Sequence, residues 1–291
     1  MSRVSSLKKT KTPVENKVDH IIYQKDGAIA KIILNRPEAF NAFSLPMING
    51  WTKALQDAQD DPAIRVVVIT AAGKAFCAGG DVKSMLAGEG FVADDHSGEC
   101  WGDKAIDRKS ALMKHIHRVA LTLDAMDKPV ICAINGVAVG AGLDMALMCD
   151  IRICADTAQL SAGYVKAGLV PGDGGCYYLP RLVGAAKALE LLWTADFISP
   201  EEAREIGMVN KVVPAAELEN AAMEMAGKIA DNPPVCVQMI KRAVYSSART
   251  NDLRTALDMI SSHMAIVTEM DDYKEGVLAI REKRKPVFTG K

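Results

Sequence analysis

Aromatic residues are scarce in this chain, at 5% of 291 positions, although 49% of the residues are hydrophobic. Its core must therefore be built from aliphatic and small side chains. Long apolar runs are missing too. Even the segment from Pro129 to Met148 is broken by Asn135, Gly136, Gly140, Gly142 and Asp144, so nothing reaches the roughly 20 residues that a bilayer-spanning helix needs. Neither sign of charge dominates: 35 Lys and Arg against 36 Asp and Glu give a net charge of -1. That balance offers no bulk attraction to nucleic acid or to an acidic membrane surface. The seven cysteines (77, 100, 132, 149, 154, 176 and 236) show no CxxC spacing and are odd in number. They read as small buried hydrophobes in a reducing compartment, not as a disulfide or zinc framework. Residues 1–17 are basic and polar without an apolar h-region, which predicts a disordered tail instead of a secretory signal. No GxxxxGK[ST] motif is present, so a P-loop is unsupported. A soluble globular protein remains, expected in the cytoplasm, or in the mitochondrial matrix if the source is eukaryotic.

What is present is a repeated strand-then-helix order. Apolar, β-branched runs recur at 21–23, 30–34, 66–70, 130–134, 151–154 and 209–213. Helical periodicity lies between them at 45–59, 105–126 and 140–149, the last apolar all round and so predicted to be buried. "SPEEAREIG" has Ser199 as N-cap, Pro200 at the first helical position and Glu202 in the capping-box position, and it stops at Gly207. The pattern predicts an α/β core. From Pro214 strands disappear and helices are expected at 215–231, 235–248 and 252–284, the last broken near Met270. This divides the chain into a tail (1–17), a core (18–213) and a helical C-terminal region (214–291). Residues 88–107, rich in Gly, Asp and Glu and holding His96, Cys100 and Trp101, read as a flexible flap or an ordinary surface insertion.

Two Gly-rich turns follow strands: "AGKAFCAGGDVKSM" (72–85) and "NGVAVGAGLD" (135–144). Glycine lets backbone approach a ligand closely, and a helix starting there points unpaired NH groups outward. One NH from each turn can form an oxyanion hole; two tight β-α turns are the plainer reading. "GAGLDM" lacks the small sixth residue of a dinucleotide fingerprint, since Met145 stands there. Asp144 follows Ala141 by three residues and so shares its helix face. Its neighbours Leu143, Met145, Ala146, Leu147 and Met148 argue for burial, which would raise its pKa and suit it to moving protons.

Six blocks in order carry a family resemblance: "LNRPEAFNAFS", "KAFCAGGDVKSM", "KPVICAINGVAVGAGLDMALMCDIRICAD", "GLVPGDGGCYYLPRLVG", "SPEEAREIGMVNKVVP" and "REKRKPVFTG". From about residue 18 to the end the chain resembles the crotonase, or enoyl-CoA hydratase/isomerase, superfamily. The resemblance implies a spiral of ββα units with a helical C-terminal trimerisation region, assembling as a homotrimer or a dimer of trimers. It implies an acyl-CoA substrate, no metal, and no cofactor beyond the coenzyme A of the thioester itself. The carbonyl would be held by amides that the resemblance assigns to Ala78 and Ala141. Glu38, Ala39 and Ala42, with Ala78, Gly79, Gly80, Asp81 and Val82, would line the CoA and acyl path, and Lys283 to Lys285 would reach a neighbouring subunit's nucleotide.

Two departures stand out against typical hydratases, whose two glutamates hold one water. The first aligns with Asp144, a carboxylate shortened by one methylene; the second aligns with Tyr164, a phenol and a poor base at neutral pH. Asp173 either replaces the missing base or only caps a Gly-rich turn. Tyr164 is either a site residue or a core tyrosine. His115 and His117, two apart on a predicted helix, face different ways, so that either one enters the pocket or both are surface residues, the plainer reading, without further zinc ligands. The reading that follows is an enolate-forming enzyme with Asp144 as general acid or base and Tyr164 or Asp173 assisting: hydratase, then isomerase, then thioester or C–C hydrolase. The alternative is a scaffold that binds acyl-CoA without turnover. RNA binding lacks a Lys/Arg-rich helix to carry it.

Overall fold

The computed structural model describes residues 19–93, 104–250 and 252–291. The basic tail, and His96, Cys100 and Trp101 of the expected flap, lie outside the described residues. Six strands form the main sheet: β1 (Ile21–Asp26), β2 (Ile29–Leu34), β3 (Val66–Ala71), β5 (Val130–Ile134), β7 (Ile151–Ala155) and β9 (Lys211–Val213), neighbours in that order. Only β1 and β2 pair antiparallel; every other neighbour is parallel. A second, parallel sheet is made of three short strands, β4 (Ala75–Cys77), β6 (Val137–Val139) and β8 (Leu160–Ser161).

The apolar runs are continuous because both faces of the main sheet are covered. Val67, Ile69, Cys132 and Ile134 point into the larger core, while Val66, Val68, Ile131 and Ala133 point to the opposite face, as strand alternation requires. Against the larger core lies α1 (Leu45–Asp60), whose N-cap Ser44 accepts from the Met47 amide and which buries Ile48, Trp51 and Leu55. The other helices in chain order are α2 (Val82–Ala87), α3 (Ala105–Lys114), α4 (Ile116–Ala125), α5 (Ala141–Leu147), α6 (Gly175–Val183), α7 (Ala185–Thr194), α8 (Pro200–Glu205), α9 (Leu218–Ala230), α10 (Pro234–Arg249), α11 (Leu253–Thr268) and α12 (Asp271–Glu282). Long strand, short strand and helix recur as β3-β4-α2 and β5-β6-α5, and β7-β8 continues into a 3-10 turn at Tyr164–Ala167. This is the expected spiral of ββα units.

Several expectations change. The helix predicted over 105–126 breaks at His115, which closes α3 and opens α4. The sequence showed no separate short strands because each lies inside or beside a Gly-rich turn. Helix α9 packs Leu218, Ala222 and Ala226 against Val66, Val68 and Ile131 of the sheet, so apolar packing on the sheet continues past residue 213. The 252–284 pattern does split at Met270, the N-cap of α12. Described cysteines 77, 132, 149 and 154 are buried as expected, but Cys176 is exposed and Cys236 half-buried.

Candidate active site

A cavity of about 360 Å³ opens where the ends of the short strands meet α2 and the α3–α4 junction. Phe43, Met85, Phe91, Leu112, Ile116, Val139 and Leu169 make its walls apolar, and Tyr164 and Asp173 supply its polar side chains. Beneath Tyr164 lies Asp144, 2% exposed and not itself on the cavity wall.

These three residues form one hydrogen-bonded cluster. The Tyr164 hydroxyl is 2.6 Å from Asp144 Oδ2 and 3.0 Å from Asp173 Oδ2, and the Gly175 amide, at the start of α6, donates to Asp144 Oδ2 at 2.9 Å. A side chain at Gly175 would collide with the Asp144 carboxylate, so only glycine admits that approach. Burial pushes Asp144 up to about 7; Asp173 adds to the rise, while the Tyr164 and Gly175 hydrogen bonds oppose it. Burial also raises Asp173, against the Tyr164 hydrogen bond and the nearby His117. The Tyr164 phenol is pushed well above its ordinary range, first by burial and then by the two carboxylates. One hydroxyl proton cannot serve two acceptors at once. Both bonds are satisfied at once only when one of the two acids is protonated.

The backbone donors come from the two Gly-rich turns. Ala141 opens α5, where the first amides have no intrahelical acceptor. In the other turn the Ala78 amide is already donated to the Phe40 carbonyl at 3.0 Å, which removes it from the expected pair. Gly79 donates to Cys77 Sγ and Asp81 to the Phe91 carbonyl. Gly80, which lines the cavity, has an amide that meets no acceptor among the described residues. Sequence reasoning missed it because the chain turns at Gly79, φ 80°, so NH directions do not carry over from β4. The adjacent glycine pair ahead of the helix cap Asp81 was the available signal.

The other path residues divide. Ala78, Gly80 and Val82 reach the cavity, whereas Glu38, Ala39 and Ala42 do not. Asp81 caps α2 through the Ser84 amide and pairs with Arg36 at 2.7 Å. Phe40 and Asn41 hold left-handed backbone, φ 51° and 55°; Asn41 pays for this locally by bonding the Arg36 amide and the Ala72 and Ala75 carbonyls. His117 is half-buried, not a surface residue, with Nε2 2.7 Å from the Gly172 carbonyl; His115 is half-buried as well. In the C-terminal basic trio, Arg284 pairs with Glu275 and Lys285 with Asp231.

The chain is similar over most of its length to known proteins. The family model described as enoyl-CoA hydratase/isomerase matches residues 24–291. A putative enoyl-CoA hydratase/isomerase from Bacillus subtilis is 36% identical over 274 residues, 94% of this chain and 99% of that protein. Crotonyl-CoA hydratase from Syntrophomonas wolfei (94% of this chain, 99% of that protein) and 1,2-epoxyphenylacetyl-CoA isomerase from Escherichia coli (94% and 100%) are each 35% identical. The crystal structure of an enoyl-CoA hydratase from Bacillus anthracis superposes with a TM-score of 0.84 at 35% identity, covering 94% of this chain and 100% of that one.

Proposed function

The chain belongs to the enoyl-CoA hydratase/isomerase family, and from that premise we propose that the Gly80 and Ala141 amides hold the thioester oxygen of its substrate while the Asp144–Tyr164–Asp173 cluster moves the proton. Acyl-CoA transformation is the activity of the family to which the chain belongs. A thioester enolate places charge on its oxygen, and each preorganised amide in a dry pocket contributes about 2.7–4 kcal/mol.

Within that chemistry we assign isomerisation of an enoyl-CoA first. The observation that carries it is the Tyr164 hydroxyl, seated between the two carboxylates at 2.6 and 3.0 Å. Adding water needs an oxygen nucleophile held by acceptors, one of which takes its proton; here the facing carboxylate oxygens already bind a phenol that is too weak an acid to ionise. A 1,3 proton shift needs one carboxylate that takes a proton and gives it back. Hydration is the second reading, favoured by the 35% identity to two proteins named as hydratases. Short-chain 2-enoyl- and 3-enoyl-CoA incubated in D2O and followed by NMR separate the two. Interconversion with deuterium uptake supports isomerisation, faster formation of 3-hydroxyacyl-CoA overturns it in favour of hydration, and neither product nor exchange would leave a binding scaffold.

We further infer a homotrimer or a dimer of trimers, because α10 to α12 expose Ile240, Val244, Leu257, Val277 and Ile280, apolar side chains that a lone chain leaves in water; light scattering reads the mass. A reducing cytoplasm suits six described cysteines that are all free thiols.

A further inference from the structure

Resting on the oxyanion reading above, we propose that Cys77 is a positioning residue for the Gly80 amide: its thiol holds Gly79 by the NH and so fixes one donor against the other. Cys77 closes β4, is fully buried and is absent from the cavity wall, so it acts on the backbone and not on the substrate. Its Sγ bonds in two directions. The S–H donates to the Asn41 carbonyl at 3.0 Å, and the sulfur accepts the Gly79 NH at 3.3 Å. A side chain that bonds the amide two residues ahead fixes a tight turn as Asn, Asp and Ser do elsewhere. Burial pushes the thiol up to about 12, so it keeps the proton that it gives to Asn41.

Gly79 is where the two proposed donors meet. Its carbonyl accepts the Phe43 amide at 2.7 Å, and the peptide that joins it to Gly80 is trans. The Gly80 NH therefore points the opposite way from that carbonyl. Two glycines in a row leave such a plane easy to rotate, so its direction depends on anchors at both sides of Gly79. Phe43 anchors the carbonyl side and Cys77 the amide side. The same residue sets the spacing between the donors. A Cβ built on Gly79 would stand 2.9 Å from the Val139 carbonyl oxygen and 3.1 Å from the Ala141 nitrogen, so its α-carbon packs directly on the other turn. A movement of Gly79 shifts Gly80 relative to Ala141. An oxyanion donor counts only where it meets the charge as that charge forms, and the thiol thereby bears on turnover without touching the substrate.

The test reads the thioester carbonyl itself. Butyryl-CoA labelled with carbon-13 at that carbonyl is bound to the full-length enzyme and to Cys77→Ala, Cys77→Ser and Cys154→Ala. Isotope-edited infrared spectroscopy follows the carbonyl stretch, beside kcat and KM for a short-chain enoyl-CoA and a thermal melt. Each alanine variant removes a single heavy atom, so the fold is retained. The parent is expected to lower the stretching frequency on binding, because two NH donors polarise the carbonyl. Cys77→Ala is expected to lose about half of that shift and about 10- to 10²-fold in kcat, less than a donor removed outright, with KM within about threefold. Cys77→Ser keeps a donor and an acceptor and recovers most of both. Cys154→Ala empties an equally buried thiol position, in β7; it lowers Tm by a similar amount and leaves the shift and kcat at the parent's values. A parent shift that Cys77→Ala leaves intact overturns the proposal, as does a serine variant no better than the alanine one, or a Cys154→Ala that loses as much kcat. Absence of any shift in the parent is a different result: it removes the oxyanion reading, and this proposal with it.

Discussion

Two aspartates stand at the starts of two helices, and they behave oppositely. Asp81 caps α2 and Asp144 sits in the first turn of α5; they are 4% and 2% exposed. Burial raises both, yet Asp81 ends below the usual carboxylate range because Arg36 and the Ser84 amide outweigh it, while Asp144, pushed up to about 7, has no cation beside it among the described residues. Depth alone does not set the charge of a buried acid. The partner does. The first aspartate serves structure, fixing the turn that presents Gly80; the second is kept protonatable beside Tyr164.

The two turns are also held differently, which gives the strongest way to break the comparison. Gly142, beside Asp144, packs directly on the Cys77 carbonyl, where a side chain has no room. Gly142→Ala is expected to pry the turns apart, costing roughly 1–3 kcal/mol of stability and about 10²-fold or more in kcat, because a displaced oxyanion donor is a lost one; thermal melts and steady-state kinetics read both. Arg36→Met, next in size, makes Asp81 resemble Asp144. Leaving a buried carboxylate unpaired costs about 3 kcal/mol, and urea titration should show it with KM altered more than kcat.

Stability against pH sharpens the contrast. Asp81, depressed when folded, adds stability above its unfolded pKa of 3.8, which is lost as pH falls through its lower folded value. Asp144 has the opposite sign: between 3.8 and about 7 the folded state holds a proton that the unfolded chain has released, so stability declines as pH rises through that window. Asp144→Asn should abolish that decline and raise Tm near neutral pH by a few degrees, roughly the response to 1 kcal/mol in a chain of this size. The smallest effect is expected from Ala141→Gly, which keeps the amide and removes a methyl from the cavity wall. It should change the preference between acyl groups by less than about tenfold in a panel of acyl-CoA substrates.

Most of the main sheet was legible because its strands are unbroken β-branched runs, α1 because of its apolar period over 45–59, and α8 because Ser199 announces it. The short second sheet was not. Each of its strands is two or three residues long, too brief for alternation to register, and its position is set by pairing between distant segments. Asp144, Tyr164 and Asp173 were legible as single residues, but their mutual placement depends on the 3-10 turn that opens at Tyr164 and on Gly175, whose amide no pattern foretold. Gly80 was hidden because strand direction stops predicting amide direction at Gly79.

The short sheet also keeps the parts of the proposed site apart from one another. β4, β6 and β8 lie side by side, and each ends just before one working part: Gly80, Ala141 and Tyr164. Because every turn of the spiral brings its own strand and its own part, one station can be exchanged while the other two stay where they are. Tyr164 stands at the third station, and β4 and β6 pair with each other through backbone alone, whatever side chain follows β8.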